Sequence, residues 1–399
     1  MPKKKKWIKF RHRVVTFTLK PLVYAYTVLK YGLKSVPFKE QGDRQYLIMM
    51  NHQTLFDQFF IAFSFKHPVY YIASEDIFSN GLVSKIIRYL VAPIPIKKQT
   101  TDIQAVRDCI RVAKEGGTIA LAPEGNRTYS GRTEYMKPSI IKLARVLKLP
   151  IAIFRIEGGY GVHPRWSDVV RRGKMRSYVS KVIEPAEYAS MSDDEFLELI
   201  ESSLYVDEGK VDGEFHHKKL AEYLERALYV CPYCGFSELE SRDDVIECKK
   251  CGRKIRYLPT KELEGIGFEF PFRFVTEWYK YQSDFMNKTD PYEYISDPLY
   301  RDTADLYEVQ LYKSKTMIRE AQQVELYGDR IAVGEDFLFK FDDITAITVQ
   351  GKNKLCIYHG GRVFQLKSGK RFNALKYMNM CFRYKNVKEG NENVEFLGI

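Results

Sequence analysis

A histidine and an aspartate spaced five residues apart are the first residues of this chain that could do chemistry. His52 and Asp57 lie in Asn51-His52-Gln53-Thr54-Leu55-Phe56-Asp57, directly after the apolar run Leu47–Met50. Acyl transfer to an alcohol needs a base for the hydroxyl proton and a carboxylate that fixes the tautomer of the imidazole. Five residues of regular helix are a rotation of about 140°, so we expect His52 in the turn before a helix and Asp57 in its first turns.

Two further polar clusters follow predicted strands. Lys97-Lys98 comes after one strand, and Pro123-Glu124-Gly125-Asn126-Arg127 comes after another. Ligands of a parallel sheet bind at the carboxyl ends of its strands, so we expect these clusters at the same rim as His52. The cations would suit a phosphate, Arg127 through a bidentate fork and Lys98 as a point charge.

In this order the motifs resemble those of the glycerolipid acyltransferases, the family that includes lysophosphatidate acyltransferase. His52-x4-Asp57 resembles the first motif of the family, Pro123 to Arg127 the third, and Leu149-Pro150-Ile151-Ala152-Ile153 the fourth. The resemblance covers roughly Gln45 to Pro185, about a third of the chain.

The resemblance implies a role for each matching residue. It makes His52 the general base and Asp57 its partner, and it makes Glu124, Gly125 and Arg127, with Lys98 from the second motif, ligands of the glycerol-phosphate of the acceptor. Two positions depart from the family, because Lys98 stands for its usual Arg and Asn126 for its usual Thr. Lysine keeps the charge but loses bidentate recognition, so the headgroup of the acceptor stays open.

The implied reaction moves a fatty acyl group from a thioester of coenzyme A or acyl carrier protein to the hydroxyl of a lysophospholipid. The leading candidate for that acceptor is 1-acylglycerol-3-phosphate. Such a transfer needs no covalent enzyme intermediate. Cys109, the thiol within this domain, stands beside Ile110 in a predicted helix, where packing in the core is favoured over a role as nucleophile.

Four cysteines predict a structural metal site. Cys231-Pro232-Tyr233-Cys234 and Cys248-Lys249-Lys250-Cys251 are separated by 13 residues, and a glycine follows each pair. Two such knuckles supply Cys231, Cys234, Cys248 and Cys251 as the four thiolates of a tetrahedral zinc, with no position left open for catalysis. Cysteines used in this way are not the disulfide framework of a secreted domain.

The net charge of +12 is concentrated at the amino terminus, where Met1 to Lys34 contains ten Lys or Arg and no Asp or Glu. Trp7, Phe10 and Phe17 are interleaved with these cations, and the apolar run Pro21 to Leu29 is shorter than the roughly 20 residues needed to span a bilayer. The pattern predicts docking on an anionic membrane surface, peripheral or monotopic, on the cytoplasmic face. A nucleic-acid arm at Lys3 to Lys6 is the alternative.

We predict an α/β fold whose mostly parallel sheet is flanked by helices, because short apolar runs alternate with segments of helical period. The predicted strands are Tyr46–Met50, Val69–Ile72, Val91–Ile96, Thr118–Ala122, Ile151–Ile156 and Arg176–Val182, and the clearest helices are Asp102–Lys114 and Pro138–Lys148. Further strands are predicted at Val324–Ile331, Phe337–Phe341, Ile344–Val349, Leu355–Tyr358 and Val363–Leu366, before a helix at Arg371–Tyr384. This last group resembles a pleckstrin-homology or GRAM-type module.

These patterns divide the chain into five segments. They are a membrane-docking segment at 1–40, the acyltransferase domain at 41–228, a zinc ribbon at 229–258, a connector at 259–317 and the β-rich module at 318–399. Two other interpretations are open: a zinc-ribbon protein that binds nucleic acid, and a lipid-binding scaffold without catalysis. The strand-end motifs disfavour nucleic acid as a partner, and the sequence does not indicate an oligomeric state.

Overall fold

The computed structural model describes residues 6–74, 78, 81–96, 102–310 and 315–390. The chain forms two compact units. The N-terminal unit comprises Met1–Pro164 and Val170–Phe215, and the C-terminal unit comprises Arg165–Val169 and His216–Ile399. The ranges predicted as zinc ribbon, connector and β-rich module therefore fall in one unit.

The N-terminal unit alternates strands and helices. Its strands are Leu33–Ser35 (β1), Leu47–Met50 (β2), Val69–Ser74 (β3), Ile94–Ile96 (β4), Thr118–Leu121 (β5), Ile151–Glu157 (β6) and Met175–Ile183 (β7). Its helices are Phe10–Tyr31 (α1), Asp57–Ser64 (α2), Gly81–Leu90 (α3), Ile103–Lys114 (α4), Ser139–Leu147 (α5), Gly159–Val162 (α6), Pro185–Ala189 (α7) and Asp193–Leu204 (α8). The strands and helices predicted in this part of the sequence are confirmed, with ends shifted by up to three residues.

The strands form one sheet in the order β1-β7-β6-β2-β5-β3-β4. Within the described ranges, β6 and β7 pair antiparallel and the other neighbouring strands pair parallel. Helices connect the parallel strands, as crossover connections require. The predicted α/β fold with a mostly parallel sheet is confirmed.

Both faces of this sheet are covered, so side chains that alternate along a strand enter two cores. Leu47 and Met49 of β2 pack with residues of α4, α5 and α8 on one face. Ile48 and Met50 pack with residues of α1 and α2 on the other face. The near-continuous apolar sequence of β2 follows from this double burial.

α1 is a single helix that contains most of the basic, aromatic segment at the amino terminus. Its buried side chains, His12, Thr27 and Tyr31, form one narrow stripe, and the rest of the helix surface is mostly exposed. Among the residues that the structure describes, no helix combines the length and apolar character needed to cross a bilayer.

The C-terminal unit is mainly β-structure. Its strands are Val230–Cys231 (β8), Gly235–Phe236 (β9), Leu239–Arg242 (β10), Val245–Cys248 (β11), Lys254–Tyr257 (β12), Leu263–Gly265 (β13), Tyr300–Val309 (β14), Thr316–Leu326 (β15), Arg330–Val333 (β16), Phe337–Lys340 (β17), Ile344–Gln350 (β18), Lys354–His359 (β19) and Arg362–Ser368 (β20). Its helices are Val275–Lys288 (α9) and Leu375–Lys388 (α10). Strands β10 to β13 form an antiparallel sheet, and β14 to β20 form another in the order β17-β16-β15-β14-β20-β19-β18.

The C-terminal unit corrects two predictions. The range 259–317, predicted as a connector, contains α9 and the ten-residue strand β14. Charged residues interrupt the apolar pattern of β14, which is held by pairing with β15 and β20 on its two sides. Val324–Ile331, predicted as one strand, is two, because the chain turns at Gly328-Asp329 between β15 and β16. The resemblance of this sheet and α10 to a pleckstrin-homology or GRAM-type module stays a prediction.

Candidate active site and metal centre

His52 follows β2 at the carboxyl end of the strand. Met49 of β2 is in register with Leu121 of β5, so the loop after β5 begins beside the His52 turn. Asn51 joins the turn to β6: its Nδ2 donates to the carbonyl of Ile156 at 2.8 Å, and its Oδ1 accepts from the N–H of Ile156 at 2.8 Å. The sheet thus brings the ends of β2, β5 and β6 to one edge.

Asp57 is the first residue of α2 and is fully buried, with 0% of its surface exposed. Its Oδ2 lies 2.8 Å from Nδ1 of His52 and also accepts from the N–H groups of Gln53 at 2.7 Å and Thr54 at 3.0 Å. Its Oδ1 accepts from Oγ1 of Thr54 at 2.6 Å. An ionised carboxylate only accepts, so this contact places a proton on Nδ1 and leaves Nε2 as the basic nitrogen.

The His52 side chain remains 24% exposed beside this buried carboxylate. The expected geometry is therefore present: the histidine lies in the turn before a helix, and the aspartate at the start of that helix faces back to it. A half-buried imidazole with a fixed tautomer and an accessible edge can act as a general base.

Glu124 is a buried carboxyl that ties the His52 turn to the loop after β5. Its Oε1 accepts from the N–H of His52 at 2.7 Å, and its Oε2 accepts from the N–H of Glu134 at 2.8 Å. The N–H of Thr128 donates to the carbonyl of His52 at 3.0 Å. Burial raises the pKa of Glu124 well above its ordinary value, although the two backbone donors oppose that rise. Both oxygens hold backbone groups, and a role for Glu124 in acceptor binding stays a prediction.

The other residues predicted to bind the acceptor belong to the loops of this rim. Gly125 donates its N–H to the carbonyl of Ala122 at 3.0 Å. Arg127 is buried, with 8% of its surface exposed, and it precedes Thr128 on the loop that contacts His52. Lys98 and its neighbour Lys97 lie outside the described residues. Within those residues, Arg127 is the predicted cationic ligand, and its neighbour Thr128 contacts the backbone of His52.

Sequence reasoning missed the groups that hold the histidine and the aspartate in place. Asn51 and Thr54 stand inside the predicted motif, where polar side chains directly after an apolar strand were an available signal. Glu134 accepts from Oγ1 of Thr128 at 2.9 Å and from Oγ of Ser130 at 3.0 Å, and so holds the loop after β5. No spacing in the sequence marks Glu134 for this role.

The four cysteines predicted to bind zinc come together in the C-terminal unit. The Sγ atoms of Cys231, Cys234, Cys248 and Cys251 all lie within 4.8 Å of one another, and those of Cys231 and Cys251 are 3.9 Å apart. Thiolates about 2.3 Å from a tetrahedral zinc lie about 3.8 Å from each other, so the set fits this ion. Gly235 and Gly252 have φ angles of +71° and +70°, which glycine adopts without strain.

Comparison with known proteins agrees with the geometry of the N-terminal unit. Residues 29–156 match the model of the family described as Acyltransferase, a segment that includes His52, Asp57, Glu124 and Arg127. The chain is 22% identical to 1-acyl-sn-glycerol-3-phosphate acyltransferase BAT2, chloroplastic, of Brassica napus over 46% of this chain and 52% of that protein. It is 20% identical to the 1-acyl-sn-glycerol-3-phosphate acyltransferase of Bacillus subtilis (strain 168) over 35% of this chain and 66% of that protein.

A solved structure is also similar. The 1-acyl-sn-glycerophosphate (LPA) acyltransferase PlsC of Thermotoga maritima shares 23% identity with this chain, with a TM-score of 0.42, over 48% of this chain and 78% of that chain. The matches span about half to two thirds of the length of the curated relatives.

Proposed function

We propose that this chain, whose residues 29–156 match the model of the Acyltransferase family, transfers a fatty acyl group to the hydroxyl of a lysophospholipid in phospholipid biosynthesis. The donor is acyl-CoA or acyl carrier protein, and the acceptor is 1-acylglycerol-3-phosphate. The observation that carries the proposal is the 2.8 Å contact between Nδ1 of His52 and Oδ2 of Asp57 inside the matched segment. The activity for which the two relatives are named supports the choice of acceptor.

The reaction requires one proton transfer and one exchange of bonds. Nε2 of His52 takes the proton of the acceptor hydroxyl as the hydroxyl oxygen attacks the thioester carbonyl. The carbon–sulfur bond then breaks, and the imidazolium returns the proton to the leaving thiolate. Asp57 stabilises the imidazolium, because its carboxylate is held by backbone donors at a fixed distance from Nδ1. A general base of this kind contributes about 10²–10⁴-fold to the rate.

The acceptor phosphate is assigned to Arg127, with Gly125, Glu124 and Lys98 as the other predicted ligands. The burial of Arg127 supports this assignment, because a cation removed from water interacts strongly with a phosphate. Glu124 holds the backbone of His52, so it also connects acceptor binding to the position of the base.

The membrane surface is assigned to α1, on the cytoplasmic face and without spanning the bilayer. Its exposed large apolar side chains are Phe10, Val14, Phe17, Leu19, Leu22, Tyr24, Tyr26, Val28 and Leu29. Phe17 and Leu29 are 83% and 87% exposed, which favours a partner that is itself apolar. The rings of Tyr26 and Phe56 lie 6.3 Å apart, so this surface continues to the His52 turn, where a lipid acceptor would enter.

Liposome binding tests the membrane assignment. Phe17→Glu and Leu29→Glu should each lower partitioning into anionic vesicles by about 10-fold or more, because burial of one such side chain contributes about 1.5–3 kcal/mol. Leu338→Glu is the matched control, since Leu338 is an exposed leucine of β17 in the C-terminal unit. Equal partitioning of all three variants and the wild type would refute the role of α1.

Product identification tests the proposed activity itself. Purified protein is incubated with a panel of lysophospholipids and with both acyl-CoA and acyl carrier protein, and the products are identified by mass spectrometry. We expect diacylated lipid from 1-acylglycerol-3-phosphate, and we expect it to form about 10²–10⁴-fold more slowly with His52→Ala. Lipid binding without any product would favour the scaffold interpretation, and tight, salt-sensitive binding of DNA or RNA without product would favour the nucleic-acid interpretation.

A structural zinc is the remaining proposal for the C-terminal unit. Cys231, Cys234, Cys248 and Cys251 would hold the ion with no fifth ligand, so its contribution is to the fold of the ribbon and not to acyl transfer.

A further inference from the structure

Glu208 is a buried carboxylate that lies outside the segment matched by the family model. It follows α8 in the chain and has 0% of its surface exposed. Its Oε1 accepts two hydrogen bonds, from Nε2 of Gln53 at 3.0 Å and from the N–H of Gly158 at 2.7 Å. A buried carboxylate is costly unless it is hydrogen-bonded, so these contacts hold it in one place.

Gln53 connects this carboxylate to the candidate active site. Its side-chain Oε1 accepts from the N–H of Tyr160 at 3.2 Å, and its own backbone N–H donates to Oδ2 of Asp57 at 2.7 Å. That oxygen is the one that contacts His52. Hydrogen bonds thus hold both polar atoms of the Gln53 side chain, and the backbone N–H of Gln53 holds Asp57.

The glycine-rich turn after β6 is shaped to receive Gln53. A Cβ atom on Gly159 would lie 2.6 Å from Oε1 of Gln53, closer than such atoms approach each other. A glycine-rich turn after a strand can be a plain turn, or its N–H groups can form a cradle for a phosphate. The N–H of Gly158, which a cradle would direct to a phosphate, donates instead to Glu208.

The segment that carries Glu208 is itself tied to the loop after Arg127. The N–H of Glu208 donates to the carbonyl of Gly131 at 2.9 Å, and the N–H of Thr133 donates to the carbonyl of Val206 at 2.9 Å. Oγ1 of Thr133 accepts from the N–H of Val206 at 2.8 Å. One segment therefore contacts both loops that border His52.

We propose that Glu208 is a positioning residue for acyl transfer. It acts through Gln53 to hold the carboxylate of Asp57 at hydrogen-bonding distance from His52. This role rests on the proposed function, because it concerns the same acyl transfer. Glu208 does not touch the reacting atoms. Its removal frees the side chain of Gln53, so the N–H that holds Asp57 can shift, and a displacement of about 1 Å at a reacting pair can cost about 10²-fold in rate.

Three variants test the pair. Glu208→Ala removes the acceptor of Gln53 and Gly158, and Gln53→Glu sets two buried carboxylates against each other. The conservative variant, Glu208→Gln, keeps a side-chain oxygen that can accept both of these hydrogen bonds. We expect kcat to fall about 10–10²-fold in each of the first two variants, with the KM of the acyl donor unchanged within about 2-fold, and to fall by less than about 5-fold in Glu208→Gln.

Glu225→Ala is the matched control, because Glu225 is a buried carboxylate of the C-terminal unit that accepts from the N–H of Ser241 at 3.2 Å. It should keep the wild-type kcat per folded molecule. The proposal would be overturned by wild-type kcat in folded Glu208→Ala, by an equal loss in Glu225→Ala, or by an equal loss in folded Glu208→Gln.

A second readout separates this inference from the proposed function. The proton between Nδ1 of His52 and Asp57 should give a downfield NMR signal, assigned by its loss in His52→Ala. We expect this signal to broaden or vanish in Glu208→Ala and to persist in Glu208→Gln. A wild type that transfers no acyl group would end the proposed function, yet this signal would still decide the role of Glu208: an unchanged signal in folded Glu208→Ala would contradict it.

Discussion

The two units bury polar side chains for different purposes. In the C-terminal unit Gln282 is fully buried, and its Oε1 accepts from the N–H groups of Tyr229 at 2.6 Å and Val230 at 3.2 Å, while its Nε2 donates to the carbonyl of Ala227 at 3.0 Å. In the N-terminal unit Asp57 is equally buried, but one of its oxygens bonds the partly exposed His52.

Gln282 belongs to a hydrogen-bond network that supports the fold, whereas Asp57 belongs to one that supports chemistry. Within the part of the chain that the structure describes, the amide of Gln282 binds backbone groups alone, so it can only hold its neighbours in place. The contacts of Asp57 lead from buried backbone to a titratable ring that a substrate can reach. A buried polar group therefore suggests function when its network ends in an accessible group that can exchange a proton.

Removal of the metal should have the largest effect, and it should be confined to one unit. Purified protein should contain one zinc per chain, since binding of structural zinc by cysteines contributes about 10–16 kcal/mol to folding. A chelator, or Cys248→Ser, should raise amide hydrogen exchange in the ribbon around β10 to β12 while acyl transfer persists. Metal-free protein whose ribbon amides stay protected from exchange would contradict the zinc assignment. Loss of acyl transfer when zinc is removed would contradict the claim that the effect is confined to the C-terminal unit.

Asp57→Asn should lower kcat by about 10²–10⁴-fold while the protein stays folded. The amide can present its N–H₂ to Nδ1, which moves the ring proton to Nε2 and removes the base. Gln282→Met is the matched control from the other unit, because it leaves three backbone groups without their partner and should lower stability by about 2–4 kcal/mol. Its kcat per folded molecule should not change. Steady-state rates and urea unfolding of both variants measure these effects on kcat and on stability. Similar kcat values in the two variants would contradict the claim that only the network of Asp57 supports chemistry.

The smallest of these effects is a loss of stability in acid. We expect it in the C-terminal unit, where Asp168 is paired with two cations. Burial would raise the pKa of Asp168, but hydrogen bonds from Arg226 at 2.7 Å and Lys352 at 2.8 Å lower it to about 2. The folded pKa lies below that of the unfolded chain, so the contribution to stability is present above about pH 4 and is lost as the pH falls toward 2.

Asp168→Asn should therefore lower the free energy of unfolding by about 1–2 kcal/mol at pH 7, allowing for solvent screening, with a difference that shrinks below pH 4. Urea unfolding at pH 7, 4 and 3 measures it. A difference that grows as the pH falls would show that Asp168 is not the group responsible.

The sequence predicted those parts of the fold in which local pattern and tertiary environment agree. β2 is apolar throughout because both faces of its sheet are covered, and such a run is easily recognised. β14 was not predicted, since its charged positions are tolerated by pairing on both sides, which no local pattern reveals. The turn at Gly328 was visible as a signal, yet its apolar neighbours led to a single predicted strand.

The candidate site was predictable to a similar extent. His52 and Asp57 lie close in sequence, so their contact follows from the geometry of a turn and the first residue of a helix. Glu208 is 155 residues from Gln53, and only the folded chain brings them together. Residues that react can be found by type and spacing, whereas residues that hold them depend on loop packing.

The most direct test of the central claim is the single-turnover rate of His52→Ala with acyl-CoA and 1-acylglycerol-3-phosphate. The variant should fold as the wild type does, bind both substrates and transfer the acyl group about 10²–10⁴-fold more slowly, because the basic nitrogen is gone while the rest of the site remains. A folded His52→Ala variant that transferred acyl groups at the wild-type rate would contradict the account.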